Sequence, residues 1–213
     1  VYHLSTPTDG GVTVLPIVCV CGLKDSGKTT LCSELLVRLS QRGCHVGFIK
    51  RTHEEVLSPV STDTGKALPI SGSAALLGPD GVRFEMAGEW EVDQVARRLF
   101  PTKDLVIVEG GKSLPFPKVW VGKEVPQGVQ GVFFRYDPGD QAQLDELCER
   151  LLELARSNHR HAKVMTPGGE VPMKGFVADF LRGSLLGMLR ELKGVRFKRG
   201  WIGAYVWYDG EEE

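Results

Sequence analysis

The stretch Gly22-Leu23-Lys24-Asp25-Ser26-Gly27-Lys28-Thr29 constrains this chain more than any other. Glycines near its two ends let the backbone curl, so that successive N–H groups point inward at phosphate oxygens with the positive end of a following helix behind them. In such a loop Lys28 reaches the β- and γ-phosphates of a nucleotide, Thr29 offers its hydroxyl to Mg²⁺, and Thr30 extends the helix N-terminus toward the α-phosphate. The loop needs a buried strand before it and an amphipathic helix after it. Ile17-Val18-Cys19-Val20-Cys21 supplies the strand, and Leu31, Leu35, Leu36 and Leu39 lie on one helical face. The sequence therefore predicts nucleotide binding.

A chain of 213 residues can bury roughly 70% of its unfolded surface, enough for one sizeable core and a small appended unit. With a formal net charge of -1 and scattered Lys and Arg, no nucleic-acid or membrane footprint is expected. The cysteines Cys19, Cys21, Cys32, Cys44 and Cys148 are an odd set without C-x-x-C spacing, and read as reduced core thiols. A metal site at Cys19 and Cys21 is the rival reading, disfavoured because alternation along a strand places both on one buried face. The apolar run 12–21 is broken by Pro16 and has no basic flank, so it is expected to be neither signal peptide nor membrane span, and a cytoplasmic location follows.

The pattern divides the chain into a leader at 1–15, a nucleotide-binding domain at 16–157 and a small unit at 162–208. Gly43 stops the first helix, and Val46-Gly47-Phe48-Ile49 reads as the second strand of a strand-helix-strand unit expected to cross over right-handed. Residues 54–72, rich in Ser, Thr, Pro and Gly, read as a long loop. Ala74–Leu77 and Val82–Met86 flank Gly78-Pro79-Asp80-Gly81 as a hairpin. Val92, Val95, Ala96, Leu99 and Phe100 keep helical spacing, and Leu105-Val106-Ile107-Val108 is a continuous run typical of a central parallel strand. Further strands fall at 118–121 and 129–134, and Leu144, Leu147, Cys148, Leu151 and Ala155 mark another helix.

Ser157-Asn158-His159-Arg160-His161 is a polar boundary, its histidines reading as linker and not as metal ligands. A strand at 162–165, a Gly168-Gly169 turn, a helix at 176–192 and a last strand at 202–208 then form an α+β unit. The stripe Val177, Phe180, Leu181, Ser184, Leu185, Met188 and Leu192 is expected to bury a core of its own. Strands alternating with helices give the fold class: α/β, a P-loop NTPase-type, mostly parallel sheet with helices on both faces, plus this small α+β C-terminal unit.

Ligands of open α/β sheets bind outside the carboxyl ends of the strands. Lys50, Thr52 and His53 follow the second strand, while Glu109 and Lys112 follow the central one. An acid at a strand end suits Mg²⁺ or a positioned water opposite Thr29, which makes Glu109 the first candidate and Asp63 its rival. Lysines from two strand ends, Lys50 and Lys112, point to a second phosphorylated ligand. His53 is a candidate at the same strand end, with a surface histidine or one packed beside the loop as the rival readings.

Taken together, Gly22 to Thr30, Gly47-Phe48-Ile49-Lys50-Arg51-Thr52-His53, Asp63-Thr64, Gly72-Ser73-Ala74, and Asp104 to Lys112 with Pro117-Lys118-Val119 resemble the molybdopterin-guanine dinucleotide biosynthesis protein B (MobB) family over residues 16–156. The resemblance implies a P-loop GTP-binding fold in which the strands bearing the loop and Glu109 are neighbours. It also implies a homodimer that assists a molybdopterin guanylyltransferase acting on a molybdopterin-type ligand. Lys28, Asp63 and Glu109 would be the catalytic set, and Thr29, Asp63 and Glu109 the metal set. GTP with Mg²⁺ would be the cofactor, bound through Gly22, Lys24, Asp25, Ser26, Gly27, Lys28, Thr29 and Thr30, with Lys50, Thr52, His53 and Lys112 beside it. Three departures stand out: Gly111 replaces the usual aromatic residue, Gly65 to Ser71 carries Pro69 where the family reads as a charged helix, and a tail is appended.

The resemblance makes the chain an accessory GTPase or adapter of molybdenum cofactor maturation, with slow turnover. A small-molecule kinase or ligase, for which only Arg97-Arg98 could serve as a lid, and a binding module without turnover remain as alternatives. No Asn/Thr-Lys-x-Asp motif follows a strand, so guanine over adenine rests on the resemblance alone.

Overall fold

The computed structural model describes residues 15–156, 162, 164–166, 169–171 and 173–193. The expected leader apart from Leu15, which is buried in the core, the polar boundary at 157–161, Gly168 and the strand at 202–208 with its acidic tail lie outside the described residues. In chain order the elements are β1 (Ile17–Gly22), α1 (Lys28–Gln41), β2 (Val46–Lys50), α2 (Asp63–Ser71), β3 (Ser73–Gly78), β4 (Gly81–Met86), α3 (Val92–Leu99), β5 (Leu105–Glu109), β6 (Lys118–Val121), β7 (Val132–Tyr136), α4 (Gln141–Arg156), β8 (Val164–Thr166), β9 (Gly169–Val171) and α5 (Gly175–Arg190).

A parallel sheet in the order β2-β5-β1-β6-β7 forms the centre. Its strands are buried on both faces, which is why they read as unbroken apolar runs. Val18, Val20, Leu105, Ile107, Val119 and Val121 point to one side, where they meet Leu31, Leu35 and Leu39 of α1 and Leu144, Leu147 and Leu151 of α4. The alternate residues Cys19, Cys21, Val106, Val108 and Trp120 point to the other side, against Val92 and Ala96 of α3. Helices thus cover both faces, as the pattern predicts. Each buried leucine contributes about 1.5–3 kcal/mol, against at most about 1 kcal/mol for the exposed Arg38–Asp145 and Arg42–Glu149 ion pairs that also join α1 to α4. Leucine packing sets that helix pair.

All five cysteines are free and buried. Burial is the largest influence on each, raising the thiols of Cys19 and Cys32 to about 12 and that of Cys44 to about 11, with Cys21 and Cys148 also raised. They remain protonated and unreactive at neutral pH. Among the described residues no group of three or more His, Cys, Asp or Glu could hold a metal, and no helix is long and apolar enough to cross a membrane.

The structure changes two expectations. Within the segment read as a loop, residues 63–71 form α2: Thr62 caps it, its hydroxyl accepting from the Gly65 N–H at 3.1 Å, and Gly72 ends it at φ 71°. Pro69 hid this helix, although it lies in the last turn where it interrupts few bonds, and only Gly65 and Leu68 are buried to give a period. Gly65 is obligatory, because a Cβ there would stand 2.0 Å from the Pro59 carbonyl oxygen. Second, the last strand of the sheet runs over Val132–Tyr136 instead of 129–134, since Gly131 at φ 75° still belongs to the turn.

The strand at 202–208 expected to pack on the α5 stripe lies outside the described residues. Among the described residues of α5, Ala178 alone is buried, while Phe176 is 80% and Met188 69% exposed. The other described elements of that unit, β8 and β9, pair as an antiparallel hairpin, with β9 lying against α3.

Candidate phosphate and metal site

Gly22 closes β1, and the loop turns from it into α1. A Cβ on Gly22 would meet Ser26 Oγ at 2.4 Å and the Val121 carbonyl oxygen at 2.9 Å, so the turn is filled by its own backbone and neighbours. Asp25 (φ 58°) and Gly27 (φ 88°) both take left-handed conformations, the first tolerated by a short polar side chain and the second free in glycine. Gly27 caps α1 with no side-chain bond of its own, and Leu31 N–H returns to the Gly27 carbonyl at 3.0 Å. The first N–H groups of the helix therefore point out of the loop. Lys28 curls back so that Nζ donates to the Leu23 carbonyl. Ser26 Oγ is buried without a partner, and Lys24, Asp25 and Thr30 are exposed around it.

Strand order brings the acid to this loop. β5 lies directly beside β1, pairing Val20 with Glu109, and Glu109 shares the α1 side of the sheet with Leu105 and Ile107. Thr29 Oγ1 donates to Glu109 Oε1 at 2.8 Å, and Lys50 Nζ, from the register partner on β2, lies 3.9 Å from the same oxygen. Glu109 is only 7% exposed, and its second oxygen, Oε2, is buried with no partner. A hydroxyl and a half-satisfied carboxylate are hard oxygen donors, a set that fits Mg²⁺ completed by phosphate oxygens and water. The remaining predicted residues are more dispersed. Asp63 is exposed at the start of α2, and among the described residues no hydrogen bond or ion pair joins it to Thr29 or Glu109. Thr52 Oγ1 accepts from the Glu54 N–H at 3.0 Å, and His53 is exposed in the same turn.

On the opposite side of the sheet edge, Lys112 Nζ stands 5.5 Å from the centre of the Trp120 ring. Lys118, 2% exposed, opens β6 and donates to the carbonyls of Leu114 and Phe116, pinning the turn that carries Lys112. Gly111 explains its own departure from an aromatic residue: at φ 81°, a Cβ would meet Leu114 Cδ1 at 2.7 Å and Cys19 Sγ at 3.1 Å. Lys118, Trp120 and Arg51 are parts of this edge to which the sequence reading gave no role. The one available signal was a lysine opening an otherwise apolar strand.

Residues 17–131 match the family described as molybdopterin guanine dinucleotide synthesis protein B, MobB. The chain is 31% identical over 132 residues to a probable molybdopterin-guanine dinucleotide biosynthesis adapter protein of Bacillus subtilis, covering 57% of this chain and 74% of that one. It is 29% identical over 115 residues to the adapter protein of Haemophilus influenzae, 52% of this chain and 65% of that one. Similar solved structures include a MobB homolog from Bacillus stearothermophilus, at TM-score 0.46 and 23% identity over 66% of this chain and 98% of that one. Bacillus subtilis MobB gives TM-score 0.46 and 20% identity over the same shares.

Proposed function

The chain belongs to the MobB family, and from that premise we propose that it is a GTP-binding adapter with slow GTPase turnover in molybdopterin guanine dinucleotide biosynthesis. The hydrogen bond from Thr29 to Glu109 carries the reading. It couples the hydroxyl that follows the loop lysine to a buried acid on the neighbouring strand, the pairing a Mg²⁺-nucleotide site requires. In this reading the N–H groups from Gly22 through Thr30 receive the phosphates, Lys28 swings from the Leu23 carbonyl to the β- and γ-phosphates, and Thr29 and Glu109 hold the metal. Bound Mg²⁺ would offset phosphate charge. Lys50 screens Glu109, and Thr52 and His53 follow it in the exposed turn after β2.

The pair Arg97-Arg98, which a kinase would use as a lid, is engaged elsewhere: Arg98 lies 5.4 Å over the Trp90 ring and Arg97 3.9 Å from Asp93. A molybdopterin guanylyltransferase is the partner we assign, with a molybdopterin-type ligand shared between the two proteins. The buried, free thiols support a cytoplasmic setting. Calorimetry with GTP and ATP, each with Mg²⁺, followed by phosphate release, tests the reading. We expect GTP to bind about tenfold or more tighter than ATP. Equal affinities would remove the guanine assignment.

A homodimer forms part of the same proposal, and the β3–β4 hairpin supports it. Register places Ala75, Leu77, Val82 and Phe84 on one face, with Leu77 79% and Val82 64% exposed. The other face is tied down by Glu85, which accepts from the Ser58 hydroxyl at 2.7 Å and pairs with Arg83. A lone two-stranded ribbon with a bare apolar face is marginal in water. A second copy would cover it. In sedimentation velocity the wild type should be dimeric and Leu77→Asp monomeric; a dimer undisturbed by the charge would place the interface elsewhere.

A further inference from the structure

The phosphate loop is braced on the side away from Glu109. In the order β2-β5-β1-β6-β7, Lys50 and Glu109 come from the two strands on one side of β1, and β6 and β7 lie on the other. Register sets Gly22, Val121 and Tyr136 level with one another, so these three strands end together. A Cβ on Gly22 would lie 3.2 Å from Val121 Cβ, and one on Gly27 would lie 3.9 Å from Pro138 Cβ and Cγ. The turn after β7 therefore stands against the residue that caps α1.

This placement gives a bound nucleotide its direction. With Lys28, Thr29 and Glu109 holding the metal-bearing β- and γ-phosphates on the β5 side, the α-phosphate and nucleoside leave the loop on the side of β6 and β7. The base then comes to the ends of those two strands.

The turn there is firmly built. Gly122 N–H bonds to the Tyr136 carbonyl at 2.9 Å and ties the two strand ends together. Asp137 N–H bonds to Gln143 Oε1 at 2.8 Å, and Asp140 N–H to the Asp137 carbonyl at 3.0 Å. Of the two acids in the turn, Asp140 is committed to starting α4: its Oδ1 accepts from the Gln143 N–H at 3.0 Å and its carbonyl from the Leu144 N–H at 3.1 Å. Asp137 is not committed. It is half-buried with its backbone held at both ends, and among the described residues its carboxylate makes no hydrogen bond or ion pair. A carboxylate that loses part of its water without gaining a donor costs free energy, and a ligand with paired N–H groups offsets that cost. Guanine presents such a pair on one edge, N1–H and the 2-amino group, which two carboxylate oxygens match. Adenine presents a bare N1 lone pair there, which a carboxylate repels.

We propose that Asp137, at the end of β7 beside the contact of Pro138 with Gly27, selects guanine, its carboxylate accepting from N1–H and the 2-amino group. This rests on the nucleotide reading and deepens it, since no Asn/Thr-Lys-x-Asp sequence after a strand supplies that acceptor.

The test is calorimetry on the full chain with Mg²⁺, comparing GTP, ITP, XTP and tripolyphosphate. The inosine base lacks the 2-amino group, and xanthine carries an oxygen in its place. The wild type should bind ITP about tenfold more weakly than GTP, and XTP more weakly still. Asp137→Asn should lose at least about tenfold in GTP affinity and gain at least about tenfold for XTP, because the amide offers its carbonyl to N1–H and its NH₂ to the new oxygen. Tripolyphosphate has no base and should bind both forms alike. Glu124→Gln, at an exposed acid past the end of β6, should leave the ranking of nucleotides as it is. If the wild type binds neither GTP nor tripolyphosphate, the nucleotide reading falls and this assignment with it. If it binds them, three results overturn the role of Asp137 alone: ITP as tight as GTP, a ranking unchanged in Asp137→Asn, or an equal loss of GTP and tripolyphosphate in that variant. A switch to XTP in Glu124→Gln would likewise overturn it, by moving the acceptor to the end of β6.

Discussion

Lys28→Ala should reduce Mg²⁺-GTP affinity at least about a hundredfold while leaving the melting temperature nearly unchanged. A charge-assisted contact to phosphate contributes about 1.5–3 kcal/mol, and a loop lysine bridging two phosphates makes two of them. Their loss, about 3–6 kcal/mol, exceeds the 2.7 kcal/mol that corresponds to roughly a hundredfold. The fold has no such stake in Lys28. Its ammonium bonds to the Leu23 carbonyl within its own loop, and its stem belongs to neither core cluster. Isothermal calorimetry beside a thermal melt followed by circular dichroism separates the two effects. Affinity that survives the substitution would mean that Gly22 to Thr29 is not a phosphate loop, whatever its backbone.

Much of this arrangement was legible locally, and the exceptions share a cause. β1, β5 and β6 are continuous apolar runs because both their faces are covered, and the sequence reading placed all three to within a residue. The β3–β4 hairpin followed from Gly78-Pro79-Asp80-Gly81 in the same way. The insertion of β5 between β1 and β2 has no local signature, yet it carries Glu109 to Thr29 across eighty residues of chain. Only the family resemblance supplied that adjacency. The role of Lys118 was missed for the same reason: it is buried only because the turn before β6 puts the carbonyls of Leu114 and Phe116 on its ammonium.

Propensity misled at α2. α2 forms despite Gly65 and Pro69 because its cap at Thr62 and its seat against Pro59 are specific contacts, worth about 1 kcal/mol for the cap alone. α5 has a good apolar period, and period reports which residues seek cover, not what covers them. Its Phe176 and Met188 stay exposed among the described residues.

Glu109→Gln should reverse the sign of its effect with the metal. The carboxylate accepts from Thr29 through one oxygen and buries the other without a partner, an arrangement that costs free energy unless a cation completes it. Glutamine keeps the shape and an acceptor for Thr29 but removes the charge. With Mg²⁺ present, GTP affinity should fall by about tenfold to a hundredfold, since one of the few protein oxygens able to neutralise the ion has lost its charge. With EDTA present, the same substitution should leave GTP binding equal or tighter, because a negative charge beside the phosphates has gone and like charges there repel. A merely structural role would weaken both conditions alike. Asp63→Asn provides the contrast: exposed on α2 and unconnected to Thr29 among the described residues, it should show no such crossover. A crossover in Asp63→Asn and none in Glu109→Gln would transfer the metal from the strand end to the helix, and the Thr29–Glu109 bond would then be a structural contact only.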